Sequence, residues 1–268
     1  VALTGIFGRP WIDLEPFLDL SALPAVHEEI CLALTQVATD YTGGSHRSMG
    51  IVPPSRADEP WRDYGEVIAK MTDDEFRTFT SLADRPEHRA AERTATFGEE
   101  RDVPLSRRQM LWLKYRFGVY FPWKVYLEMI PNLRWEDKAD PTGKSFTRLA
   151  RALFPKTIAF VESLPFTHVG RCNLMGLEAN DYGTVHRDAV PAEHPEPDPF
   201  ITFCPAKDKT LFLWDEATKT ETPVVSRAYW FNDADWHGVS AAPFFRYSIR
   251  VDGPFRADFV ERVRSKFA

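Results

Sequence analysis

At 268 residues, with 44% hydrophobic and 27% charged residues, the chain has ordinary globular composition and enough length to bury a large core. No stretch approaches the apolar run of a membrane span, and a formal net charge of −6 argues against a nucleic-acid backbone as the main partner. Three widely spaced cysteines, Cys31, Cys172 and Cys204, form no C-x-x-C pair; they indicate neither a disulfide framework nor a zinc knuckle and are expected as buried free thiols.

In chain order, the opening segment Val1 to Phe7 is too short for a signal-peptide core and lacks a basic flank, so a cytoplasmic location is expected. Up to about residue 165 the apolar residues recur at helical spacing. Val26, Ile30, Leu34 and Val37 form one stripe, Phe146, Leu149 and Leu153 another, and Ile158 with Val161 a third just past Pro155. Thr72 followed by Glu75 is a capping-box pattern opening a helix over Asp73–Leu82, and Ser106 is placed to cap one from Arg107 to about Phe117. Arg107, Arg108, Lys114 and Arg116 read as the solvated face of that helix, and Pro122 forces a break after it.

Beyond residue 165 the texture changes. Short segments rich in β-branched and aromatic residues alternate with turn residues: Val169–Leu177, Thr184–Asp188, Phe200–Cys204, Leu211–Trp214, Arg227–Phe231 and Phe245–Val251. Closely spaced strands without long helices between them favour an antiparallel sandwich or barrel. The Pro-rich run 191–199 reads as a loop, and a candidate lid, while Ala257–Phe267 reads as a closing helix. The expected organisation is α+β: a mainly helical region 1–165, a β core 166–255 and a C-terminal helix 256–268.

Within that core, His186 and Asp188 lie two residues apart at a strand end, where alternate side chains share a face and can converge on one metal ion. His237 offers a second imidazole downstream. Two imidazoles and one carboxylate form a facial triad, which leaves adjacent coordination positions open and suits Fe(II). On the last strand Arg246, Ser248 and Arg250 share one face while Tyr247, Ile249 and Val251 share the other. A guanidinium fork at Arg246 with the hydroxyl of Ser248 matches a carboxylate. Arg171 projects from an early strand toward the same cavity, a structural ion pair being its competing reading. His168 reads as structural, His194 as a loop residue able to touch substrate, and Trp214, Trp230 and Trp236 as packing.

Several blocks together carry a family resemblance: Gly170-Arg171-Cys172-Asn173-Leu174-Met175-Gly176-Leu177, Tyr182-Gly183-Thr184-Val185-His186-Arg187-Asp188, Tyr229-Trp230-Phe231-Asn232-Asp233, His237-Gly238-Val239, and Arg246-Tyr247-Ser248-Ile249-Arg250-Val251-Asp252. Over roughly residues 160–253 they resemble the aspartyl/asparaginyl β-hydroxylase and proline hydroxylase group of iron- and 2-oxoglutarate-dependent oxygenases. The resemblance implies a double-stranded β-helix (jelly-roll, cupin-like) core with the helical half packed on it. It also implies Fe(II) on His186, Asp188 and His237, and 2-oxoglutarate held by Arg246 with Ser248. Dioxygen and a small-molecule or peptide substrate with an amino-acid unit would be the partners, and succinate and carbon dioxide the co-products. Ala241 departs from this group, which commonly has an Asn there, and Asp188 favours hydroxylation over halogenation. Two rival readings remain: a cupin-like metalloenzyme that does not use 2-oxoglutarate, and a non-catalytic β-sandwich binding module.

Overall fold

Alternation in the second half of the chain becomes two antiparallel sheets. The computed structural model describes residues 3–37, 53–56, 64–98, 103–119, 124–131, 137–194, 196–206 and 210–267; the expected break at Pro122 lies outside them. The strands are β1 (Trp11–Asp13), β2 (Lys124–Ile130), β3 (Arg171–Leu177), β4 (Gly183–His186), β5 (Phe200–Phe203), β6 (Leu211–Asp215), β7 (Thr220–Pro223), β8 (Ala228–Phe231), β9 (His237–Val239) and β10 (Arg246–Asp252). One sheet has six strands in the order β1-β8-β5-β10-β3-β2, and the other four in the order β4-β9-β6-β7. From β3 onward successive strands switch sheet, except at the β6–β7 hairpin.

The helices are α1 (Leu23–Ala33), α2 (Tyr64–Ala69), α3 (Asp73–Ser81), α4 (Pro86–Arg89), α5 (Arg107–Phe117), α6 (Arg148–Leu153), α7 (Pro155–Glu162) and α8 (Ala257–Phe267). The expected capping box at Thr72 forms, and the expected cap at Ser106 is also a full capping box. Thr72 and Glu75 exchange hydrogen bonds at 3.0 and 3.3 Å, and Ser106 and Gln109 do so at 2.9 and 3.1 Å. Helix α5 ends at Gly118, whose φ of +66° suits a residue without a Cβ. The carboxylate of Glu29 on α1 accepts from the backbone N–H groups of Lys156 and Thr157 at 2.8 Å, tying the start of α7 to α1.

Central strand β10 divides the layers. Its odd residues Tyr247, Ile249 and Val251 join Cys172 and Leu174 of β3 in a core with Val26 and Ile30 of α1, Ala150 of α6 and Ile158 and Val161 of α7. Its even residues Arg246, Ser248, Arg250 and Asp252 are also buried, yet polar, and look toward the four-stranded sheet. A second core joins Ile68 of α2, Phe79 of α3 and Met110 and Leu113 of α5.

The structure corrects several expectations. The region before residue 165 contributes β1 and β2 to the larger sheet as well as helices. Helix α1 stops at Ala33, short of Leu34 and Val37. Leu149 is 46% exposed, because in the six-residue α6 it is Ala150 that faces the core. Cys172 and Cys204 are buried, but Cys31 is exposed: it follows the inward Ile30, about 100° further round the helix. Arg107, Arg108, Lys114 and Arg116 are exposed, as expected.

Candidate metal centre

Strand pairing brings the two expected imidazoles together. His186 ends β4 and His237 opens β9, and the two residues are direct cross-strand partners. Their rings lie 4.4 Å apart, centroid to centroid. Asp188 sits two residues past the end of β4 rather than within it, and its amide donates to the carbonyl of Asp233 at 2.8 Å. Strand alternation therefore continues in effect to Asp188, whose Oδ1 stands 3.5 Å from His186 Nε2 and 4.0 Å from His237 Nε2. Ligand atoms of all three residues lie within 4.8 Å of one another.

Hydrogen bonding fixes which ring nitrogens face inward. His186 Nδ1 bonds the carbonyl of Thr184 at 2.7 Å, and His237 Nδ1 bonds that of Asp235 at 2.9 Å. A carbonyl only accepts, so each Nδ1 carries a proton, and each Nε2 is left as the inward nitrogen whose lone pair a metal ion would take. Burial first, then neighbouring His186, pulls the His237 imidazole down to about 3 against the opposing influence of Asp188. Burial acts to raise Asp188, but His186, His237 and Lys138 outweigh it and hold the carboxyl well below its ordinary value. Two inward Nε2 atoms and a carboxylate oxygen thus converge, an arrangement that a cation would satisfy. The donor set fits a divalent metal.

The polar face of the larger sheet stands opposite. Arg250 extends Nη1 to Asp188 Oδ2 at 3.5 Å, Nη2 to Asp233 Oδ2 at 2.8 Å and Nε to Asp252 Oδ1 at 3.1 Å. Its guanidinium lies 3.8 Å above the centroid of the Phe200 ring. Lys138 Nζ reaches Asp233 at 3.3 Å and Asp198 at 3.0 Å. Asn173, the cross-strand partner of Arg250, is 4% exposed and its Oδ1 has no hydrogen-bond partner. A buried orphan acceptor on this face calls for a donor.

The remaining expected site residues fare differently. Ser248 is buried on the expected face. Arg246 is buried there as well, but Nη1 donates to the carbonyls of Glu178 and Phe244 at 3.1 and 3.4 Å, and Nη2 to those of Ser240 at 2.7 Å and Asp181. Of the two readings of Arg171, the structure shows the ion pair: its Nε and Nη2 grip Asp252 at 2.8 and 3.2 Å, a pair that strand register sets face to face. His168 bonds the carbonyl of Ala139, and His194 is exposed in the Pro-rich loop. Trp214, Trp230 and Trp236 are buried. Sequence reading missed Arg250, Asp233, Lys138 and Asn173 as parts of the site; alternation along β10 was the signal for Arg250.

No family model matches the chain, and no curated protein matches it. Among solved structures, a Pseudomonas putida prolyl-4-hydroxylase is similar over 41% of this chain, at 12% identity and a TM-score of 0.25; the chain spans 63% of that protein, less than two thirds. An oxidoreductase of the 2OG-Fe(II) oxygenase family from Burkholderia pseudomallei is similar over 50% of this chain and 72% of its own, at 11% identity and a TM-score of 0.31. A non-heme monooxygenase, the ThoJ–Ni complex, is similar over 40% and 53%, at 16% identity and a TM-score of 0.26. Overlap this partial leaves the function to be read from the site itself.

Proposed function

We propose that the protein is an Fe(II)- and 2-oxoglutarate-dependent dioxygenase that hydroxylates an unactivated C–H bond of an amino-acid-derived substrate, free, carrier-bound or within a peptide. The observation that carries this reading is the convergence of two inward imidazole nitrogens and one carboxylate oxygen, both rings pinned by backbone carbonyls. Three protein ligands leave the room on a ferrous ion that a chelating keto acid and dioxygen require. When bound, ferrous iron would activate dioxygen at the expense of 2-oxoglutarate, which leaves as succinate and carbon dioxide, and supply the oxidant for the C–H bond.

The core of this reading is a double-stranded β-helix over residues 166–255, with the region 1–165 and the closing helix 256–268 packed on it. Its support is the strand order, in which β8-β5-β10-β3 and β4-β9-β6-β7 form facing halves filled by alternate strands. His186 and His237 would give Nε2 and Asp188 Oδ1, and the buried polar face of β10 and β3 lines one side of the site. Arg246 and Ser248 would take the far carboxylate of the co-substrate, which must share or displace the carbonyl bonds that Arg246 now makes. Asn173 would accept a hydrogen bond from bound ligand.

Those carbonyl bonds favour a second reading, a metalloenzyme with the same ligands that does not use 2-oxoglutarate. Anaerobic reconstitution with Fe(II), followed by oxygen and 2-oxoglutarate in the presence of amino acids and peptides, separates the two. Succinate formation that Asp188→Ala and His237→Ala abolish supports the dioxygenase. Metal binding without succinate supports the second reading, and failure to bind metal sinks both.

A further inference from the structure

The geometry points to Arg250 as the positioning residue that decides which oxygen of Asp188 reaches the metal and keeps that carboxylate a one-oxygen ligand. This rests on the metal site proposed above. The two carboxylate oxygens face different neighbours: Oδ1 the imidazole Nε2 atoms of His186 and His237, at 3.5 and 4.0 Å, and Oδ2 the Nη1 of Arg250, at 3.5 Å. An oxygen held by a guanidinium is withheld from the metal. A carboxylate that turned and bound through both oxygens would fill a position that co-substrate or dioxygen needs.

Arg250 is unusually well fixed for this task. Its Nη2 and Nε are spent on Asp233 at 2.8 Å and Asp252 at 3.1 Å, and Phe200 supports its plane from one side. Asp252 is itself clamped by Arg171, and Asp233 by Lys138. The backbone of Asp188 donates to the carbonyl of Asp233, so the residue that anchors the guanidinium also anchors the ligand it steers. Lysine at position 250 would keep the charge but has one nitrogen, unable to satisfy Asp233, Asp252 and Asp188 in the fixed directions of the fork.

The test uses the full chain loaded with Mn(II), a redox-stable stand-in for Fe(II), and needs no turnover. Proton relaxation of the Mn(II) complex reports the waters in open positions, and titration reports affinity. Arg250→Lys is expected to hold fewer exchangeable waters than wild type and to bind Mn(II) roughly 10-fold more weakly. A folded Arg250→Lys with wild-type hydration and affinity overturns the inference. X-ray absorption on the wild-type Mn(II) complex tests it without a variant: carboxylate ligation through one oxygen is expected, and ligation through both overturns it. If wild type binds no Mn(II), the metal reading fails and takes this inference with it. If wild type binds and Asp188→Ala does not, only the role of Arg250 is at stake.

Discussion

Replacing Asp252 by Asn keeps the side-chain shape and removes one charge from a buried layer of paired charges. Asp252 is 1% exposed and receives Arg171 Nε and Nη2 at 2.8 and 3.2 Å and Arg250 Nε at 3.1 Å. In Asp252→Asn an amide NH2 would face a guanidinium N–H, and two buried cations would lose their shared anion. Breaking a buried ion pair in this way costs about 3–5 kcal/mol. At roughly 2–4 °C per kcal/mol for a protein of this size, the melting temperature should fall by about 10 °C. Thermal unfolding by circular dichroism measures it, with Arg171→Met and the double variant completing a cycle. The double variant removes both members of the pair and should cost less than the sum of the single changes. A drop under about 2 °C for Asp252→Asn, or strict additivity, would refute the view that these charges hold one another in place.

Gly238 follows His237, and a Cβ there would stand 2.9 Å from the carbonyl oxygen of Gly183 and 2.7 Å from the Phe212 ring. Gly238→Ala should cost about 1–3 kcal/mol in chemical denaturation and weaken metal binding by forcing β9 from β4; wild-type values for both would contradict that. Asn173→Leu removes a buried side chain of similar size whose Oδ1 is an orphan acceptor, so stability should hold or rise by about 1 kcal/mol while turnover of bound substrate falls. A large loss of stability would mean that the amide has a structural partner. Burial acts to raise the carboxyl of Glu216, but hydrogen bonds from Lys219, Ser55 and Trp214 outweigh it and draw the group down to about 2. Its contribution is full above the ordinary carboxylate pKa and is lost as pH falls through that range toward 2. Glu216→Gln should therefore flatten the loss of stability in that window, as acid titration followed by tryptophan fluorescence would report.

Much of this site was legible because it depends on short-range periodicity. His186 and Asp188 are two apart, and alternation alone aims them together even though the strand ends between them. Alternation along β10 likewise separated Arg246, Ser248 and Arg250 from Tyr247, Ile249 and Val251. What escaped depends on partners distant in sequence. Whether Arg171 meets a ligand or Asp252 turns on the register between β3 and β10, which no local pattern encodes. Strand β7 is largely exposed Thr-Glu-Thr-Pro at a sheet edge, without apolar alternation, and β9 is only three residues long with a central Gly. Strand β2 has register shifts against β3 that break its alternation, and it follows a run of helices that set the expectation.

The central claim is that three side chains hold one metal ion. The most direct measurement is a crystal structure of the Fe(II)-loaded protein grown without oxygen, with diffraction recorded at the iron edge. One anomalous peak bonded to His186 Nε2, Asp188 Oδ1 and His237 Nε2, with open positions facing β10, is the predicted result. Iron bound elsewhere, or a loaded protein in which these three side chains turn away from one another, would contradict it.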